Sequence, residues 1–279
     1  MQINGDLKDT NKISYKNYLG DNRLRHRVVF ERNTYMRCVY CGDIADTREH
    51  CPSKVFLEKP LPADLPVVPS CKKCNNSFSS DELYVSVFID LLKNYFEKEN
   101  YHLNDSIRKR INERREAQEA KGCFEKVIRT NVLENDNRII RILEKLAICH
   151  ATYELGEGYK CNSWAGKATS LLYGFRPLLS QDMIGDMDSA IVINDAQFPE
   201  IGSRVYDHIY VVQPVLQSVI DGEQEILNVC MMDWNEVQDE NYRYICWLEN
   251  GNINVRIAIK EFLYAQLQFT PEIEEHYKE

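Results

Sequence analysis

No run of this 279-residue sequence is apolar for long enough to cross a bilayer; stretches such as residues 85–89 and 209–212 fall far short. A spanning helix needs about 20 such residues. Residues 1–20 are polar and lack the apolar core of a secretion signal, so the expected compartment is the cytoplasm. Internal repeats and low-complexity segments are missing too. What remains is 44% hydrophobic and 28% charged residues, the balance of a globular chain with one large or two modest domains. Positive charge is scarce in one part only. Residues 181–279 hold 5 Lys and Arg against 19 Asp and Glu, a local charge of −14, which leaves +5 for residues 1–180 from the total of −9. The global sum therefore does not exclude a polyanionic partner for the first part.

Ten cysteines are present. Without a secretion signal they are expected as thiols, and paired CxxC units then read as metal ligands. Cys38-Val-Tyr-Cys41 and Cys71-Lys-Lys-Cys74 are two such units separated by 29 residues. Two residues between thiolates let both sulfurs reach one ion, and two such knuckles complete a tetrahedral four-cysteine shell, the closed geometry of structural Zn²⁺. Gly42 follows the first pair, where a knuckle needs unrestricted φ. A closed shell holds a fold together and performs no chemistry. The other cysteines (Cys51, Cys123, Cys149, Cys161, Cys230, Cys246) are expected as small buried apolar residues.

Between the knuckles lies Thr47-Arg48-Glu49-His50-Cys51-Pro52-Ser53-Lys54, and Asn75 directly follows the second. With the cysteines, this segment from about residue 37 to 82 resembles the HNH, or His-Me finger, endonucleases, whose core is a ββα-metal fold. The resemblance implies a first strand over 47–51, a second over 65–68 and a helix from about residue 70. It implies His50 as the general base that takes a proton from water attacking phosphorus; an imidazole suits that task because it titrates near neutrality. It implies Glu49 and Asn75 as catalytic residues and ligands of Mg²⁺ or Mn²⁺, a hard cation matched by oxygen donors. The products would carry 5′-phosphate and 3′-hydroxyl ends. The family's middle Asn has no clear counterpart here; the expected place falls near 64–66, where no Asn stands and Asp64 is a candidate substitute. The acid before the histidine is Glu where Asp is commoner. Lys54, Lys72 and Lys73 are candidate phosphate contacts.

The remaining chain reads as an α+β architecture: an N-terminal zinc-stapled, treble-clef-like module with its arm (1–82), a helical segment packed on it (83–175), and an acidic, mainly antiparallel β region (176–279) with a regulatory or partner-binding role. Ser79 and Glu82 are spaced as a capping box for a helix whose apolar face repeats Leu83, Val87, Leu91 and Tyr95. Residues 106–121 form a charged helix whose Arg108, Lys109, Arg110, Arg114 and Arg115 could meet phosphates, although most are expected as solvated surface. Residues 139–153 form a core helix, with His150 a satisfied core residue. Strands are expected at 190–193, 208–215, 226–232, 242–248 and 253–259, with a hairpin turn at Glu249-Asn250-Gly251-Asn252 and a last short helix or strand at 261–269.

The leading expectation is a metal-dependent nuclease acting on DNA, with bacterial defence against phage as the family-level context. The rivals are a non-catalytic zinc module that binds nucleic acid or protein, and a nuclease held inactive until a partner or signal engages the acidic C-terminal part; besides DNA, a regulatory protein partner or a homodimer is the expected association. No membrane partner is expected.

Overall fold

The computed structural model describes residues 37–62, 65–97, 105–130, 135–155, 168–193, 203–217 and 224–270. The elements are β1 (Thr47–His50), β2 (Val67–Ser70), α1 (Lys72–Glu97), α2 (Asp105–Glu113), α3 (Arg115–Thr130), α4 (Asn137–Leu155), β3 (Ser170–Phe175) and α5 (Gln181–Asp188). Nine strands follow: β4 (Ile191–Ile193), β5 (Ile209–Val212), β6 (Val215–Gln217), β7 (Gln224–Ile226), β8 (Val229–Met232), β9 (Asn235–Gln238), β10 (Tyr242–Glu249), β11 (Asn252–Ile259) and β12 (Leu263–Phe269). The class is α+β, and every sheet pairing among the described residues is antiparallel. No described helix is long and apolar enough to cross a membrane. The arm up to residue 36, Asp64 and Cys161 lie outside the described residues.

The largest sheet has the order β3-β12-β11-β10-β9. Side chains on β10 alternate between two cores, as the two-residue period of a strand requires. Tyr242, Tyr244, Cys246 and Leu248 join the helical core, whereas Ile245 and Trp247 join a second cluster with Met187, Ile191, Met232 and Trp234. The sheet is thus covered on both faces, by α1 and α4 on one side and by α5 with the small sheet β4-β8-β5 on the other. That is why β10 and β11 read as nearly continuous apolar runs. The expected turn between them is present: Asn250 and Gly251 adopt φ of 50° and 76°, the left-handed conformation that Asn and Gly tolerate.

Several expected boundaries move. α1 starts at Lys72 and runs through residues 79–82 without a break. Its first turn is closed by Asn75 N–H donating to Cys71 O (2.9 Å), and the Lys72 N–H is capped by the Asp46 carboxylate (2.7 Å). Capping from a distant loop replaces the Ser79 and Glu82 box, because the second knuckle already anchors the helix start. The apolar stripe of α1 is also wider than a four-residue repeat: Tyr84, Val85, Phe88, Ile89 and Leu92 are as buried as Val87 and Leu91, whereas Tyr95 is exposed. A helix packed on two sides needs apolar residues on both. The charged stretch 106–121 divides into α2 and α3, which meet at Arg114. Residues 208–215 and 226–232 each divide into two strands, residues 261–269 give the strand β12, and β3 is an additional strand. α1 runs across the expected boundary at 82, and β3 pairs with β12 across that at 175.

Candidate metal centre and neighbouring polar cluster

The four sulfurs of Cys38, Cys41, Cys71 and Cys74 lie within 4.8 Å of one another and could hold a metal such as zinc. Two local features bring them together. The first knuckle turns back by Gly42 N–H donating to Cys38 O (2.9 Å), with Gly42 at φ 74°. It is tied to the second strand by Val39 N–H donating to Pro69 O (3.1 Å). The second knuckle straddles the start of α1, where Cys74 N–H donates to Cys71 Sγ (3.4 Å). Burial and the neighbouring sulfurs push the Cys41 thiol up to about 11 and the Cys74 thiol higher still. At Cys38 burial also opposes ionisation, but surrounding hydrogen bonds outweigh it and lower the thiol. A cation among the four sulfurs would favour their thiolate forms.

The two knuckles set the loop before β1 beside the head of α1, where Lys72 N–H donates to the Asp46 carboxylate, and this positions the segment that follows. In the β1–β2 hairpin Glu49 lies opposite Val68 and His50 opposite Val67. The Asn75 side chain reaches from α1 to β1, its Nδ2 donating to Arg48 O (3.1 Å) and lying 3.5 Å from Thr47 Oγ1. That use of the amide nitrogen leaves the Asn75 oxygen as the group available for another contact. His50 is half-buried and its Nε2 is enclosed. Asn75 and His50 thus sit on two elements joined through the β1 backbone. Lys54, Lys72 and Lys73 are exposed; Lys72 and Lys73 precede Asn75 in the first turn of α1, whereas Lys54 lines a cavity with Asp90 and Lys93 further along that helix.

Glu49 points elsewhere. It is buried, and its Oε1 lies 3.1 Å from Nζ of Lys145, a fully buried side chain of α4. The same ammonium contacts the Glu82 carboxylate and the Ser53 hydroxyl, and Ser53 Oγ donates to Glu82 Oε1 (2.6 Å). Burial pushes the Glu49 carboxyl up from its ordinary value, Lys145 pulls it down, and Glu82 adds to the rise. For Lys145 burial opposes the charge, but the surrounding thiol and carboxylates outweigh it and hold the ammonium protonated. One lysine thus faces two carboxyl groups in this cluster.

A second bridge lies one residue further on. Cys51 Sγ sits 3.2 Å from His150 Nδ1, and His150 Nε2 sits 2.8 Å from the Tyr242 hydroxyl of β10. His150 is fully buried and stacks on Tyr244 with ring centroids 3.7 Å apart, a core residue as expected. Cys51, Cys149 and Cys246 are buried, and Cys123 and Cys230 partly so. Sequence reasoning missed Lys145, Ser53, Asp46 and the use made of Glu82. A signal existed for Lys145 alone: it interrupts the otherwise apolar series of Ile142, Leu146 and Cys149 on a core helix.

No protein-family model matches the chain, and neither a curated protein nor a solved structure gives a match to it.

Proposed function

We propose that this chain is a metal-dependent endonuclease of the HNH type that hydrolyses phosphodiester bonds in DNA. The reading rests on its resemblance to that family, and one observation supports it most. The four-cysteine clamp and the Asn75–Arg48 hydrogen bond hold the Glu49-His50 strand against the head of α1. His50 acts as the general base: it takes a proton from water as the water oxygen bonds to phosphorus and the bond to the 3′ oxygen breaks. Of the two expected ligands of a hard divalent cation, the Glu49 carboxylate is taken by Lys145, which leaves the Asn75 oxygen, beside β1, as the donor for Mg²⁺ or Mn²⁺. Bound there, Mg²⁺ or Mn²⁺ supplies positive charge that stabilises the phosphorus centre and the departing oxygen. Lys145 keeps Glu49 in place and tempers its charge. Zn²⁺ is the proposed occupant of the cysteine cluster, with a structural role only. Lys54, Lys72 and Lys73 meet substrate phosphates.

The test uses the full chain on plasmid, single-stranded DNA and RNA with Mg²⁺ or Mn²⁺. His50→Ala is expected to lower cleavage at least ~100-fold while cysteine-bound metal and the melting temperature stay unchanged. Undiminished cleavage by that variant overturns the role of His50. The pairing of Glu49 with a buried lysine favours one rival, a non-catalytic zinc module; it predicts no cleavage by the wild-type chain under any of these conditions.

A further inference from the structure

α1 leaves the proposed active site with a basic cleft along its flank. The cleft, of about 520 Å³, opens between α1 and α2. Ser79 contributes from α1, one helical turn beyond Asn75, which is roughly 6 Å further along the axis on nearly the same face. From the α2 side come Ser106, Lys109, Arg110 and Arg114, and one acid, Glu113. Leu83 and the stems of the long side chains make much of the wall apolar, but its charged groups are three cations against one carboxylate, with two hydroxyls, a balance that favours an anion. Two of these cations have weak intramolecular partners. Lys109 and Glu113 are 4.0 Å apart on an exposed helix face, and Arg114 has no ion pair among the described residues. An exposed pair of this kind contributes little and exchanges readily for a phosphate. Arg110 is more engaged, lying 3.9 Å from the buried Asp90 and 3.5 Å from Ser86 Oγ. By contrast Arg115 is held by Glu119 at 2.8 Å and lies outside the cleft.

We propose that this cleft carries the sugar–phosphate backbone of the polynucleotide beyond the bond being cut, with Lys109, Arg110 and Arg114 binding its phosphates. The proposal rests on the nuclease reading for its substrate class, and it gives α2, which lies outside the cysteine-bounded segment, a part in binding. DNA and RNA share this backbone chemistry, so the experiment compares both.

The full-length chain is titrated by fluorescence anisotropy against labelled duplex DNA, single-stranded DNA and RNA of mixed sequence, with no divalent ion added, from about 50 to 300 mM salt, the range in which phosphate binding weakens steeply. Three proteins are compared: wild type, Lys109→Gln/Arg114→Gln, and Lys121→Gln/Arg129→Gln, which removes the same charge from exposed positions of α3. Each phosphate that a protein ceases to neutralise lowers the slope of log K against log salt by about 0.9 on duplex and about 0.7 on single strands. The cleft variant is therefore expected to show a slope reduced by about twice those amounts, and the α3 variant an unchanged one. Equal reductions in both variants, or none in either, overturn the cleft, as does failure of the wild type to bind any of the three probes. A wild type that cuts DNA while the cleft variant binds like wild type sinks the cleft and spares the nuclease reading. Salt-dependent binding weakened only in the cleft variant, by a chain that cuts nothing with Mg²⁺ or Mn²⁺, supports the cleft and removes the hydrolytic reading.

Discussion

Two clusters adjoin the same four-residue strand, and they manage charge in opposite ways. The cysteine cluster before β1 is partly exposed and has no cation of its own among its four thiols. The cluster around Glu49 is sealed by α4 and carries its cation within the chain, as the Lys145 ammonium. The first could take its cation only from solution; the second is complete once the chain folds. β1 is thereby fixed at both ends by different means: the knuckles hold its entry, and Lys145 with the Cys51–His150–Tyr242 bridge holds its exit to α4 and β10. The extension after residue 82 is therefore part of the site's scaffold.

The largest effect is expected at Cys71, where the outer cluster is taken apart. In Cys71→Ser one of the four sulfurs is removed, and with it the shell for the proposed Zn²⁺; such a metal contributes about 10–16 kcal/mol of folding free energy in small zinc modules. The expected outcome is loss of bound metal, measured by elemental analysis, together with a large fall in melting temperature. Full metal content and an unchanged melt would show that the sulfurs only happen to be neighbours.

Lys145→Met comes next. It leaves Glu49 and Glu82 buried without their shared cation, and breaking a buried pair in this way costs about 3–5 kcal/mol. Chemical denaturation measures it. The cysteine metal is expected to stay at full content, because the two clusters touch different sides of β1. Adding Glu49→Gln and Glu82→Gln to Lys145→Met should recover part of the loss, since neutral amides cost less to bury. A Lys145→Met protein as stable as wild type would mean that the inner cluster does not hold the strand.

The same contrast explains what could be read from the sequence. Cys38, Cys41, Cys71 and Cys74 are bound by local spacing, and the structure brings all four together. The β1–β2 hairpin, α4 and the Asn250-Gly251 turn likewise follow from local pattern. Lys145 and Glu82 escape because their meaning depends on which distant strand the helix covers. Glu82 even offers a competing local reading as a cap, which Asp46 makes unnecessary. The double-sided burial of α1 was hidden for a related reason: periodicity reports one face, and only the packed layers show that a second exists.

The smallest effect is expected on the far side of the large sheet, in a third charge cluster. There Arg243 grips Glu261 through Nε–Oε1 and Nη2–Oε2 contacts of 2.6 Å, and Tyr264 donates to Oε2 at 2.9 Å. Burial opposes the Glu261 charge, but the Arg243 bonds outweigh it and hold the carboxyl below its ordinary value of 4.5. A carboxylate lowered in the folded state stabilises above its unfolded value and loses that contribution as pH falls through the folded one. Glu261→Gln is therefore expected to destabilise by about 0.5–1 kcal/mol at pH 7, a figure kept small because the pair is partly solvated. The difference from wild type should shrink steadily as pH drops below about 4.5 and vanish in stronger acid, as followed by urea denaturation at each pH. Combined with Lys145→Met, the losses should add, because the two ion clusters share no partner. A pH-independent difference would remove the ionised pair as the cause, and strong non-additivity would mean that the sheet couples the C-terminal cluster to β1.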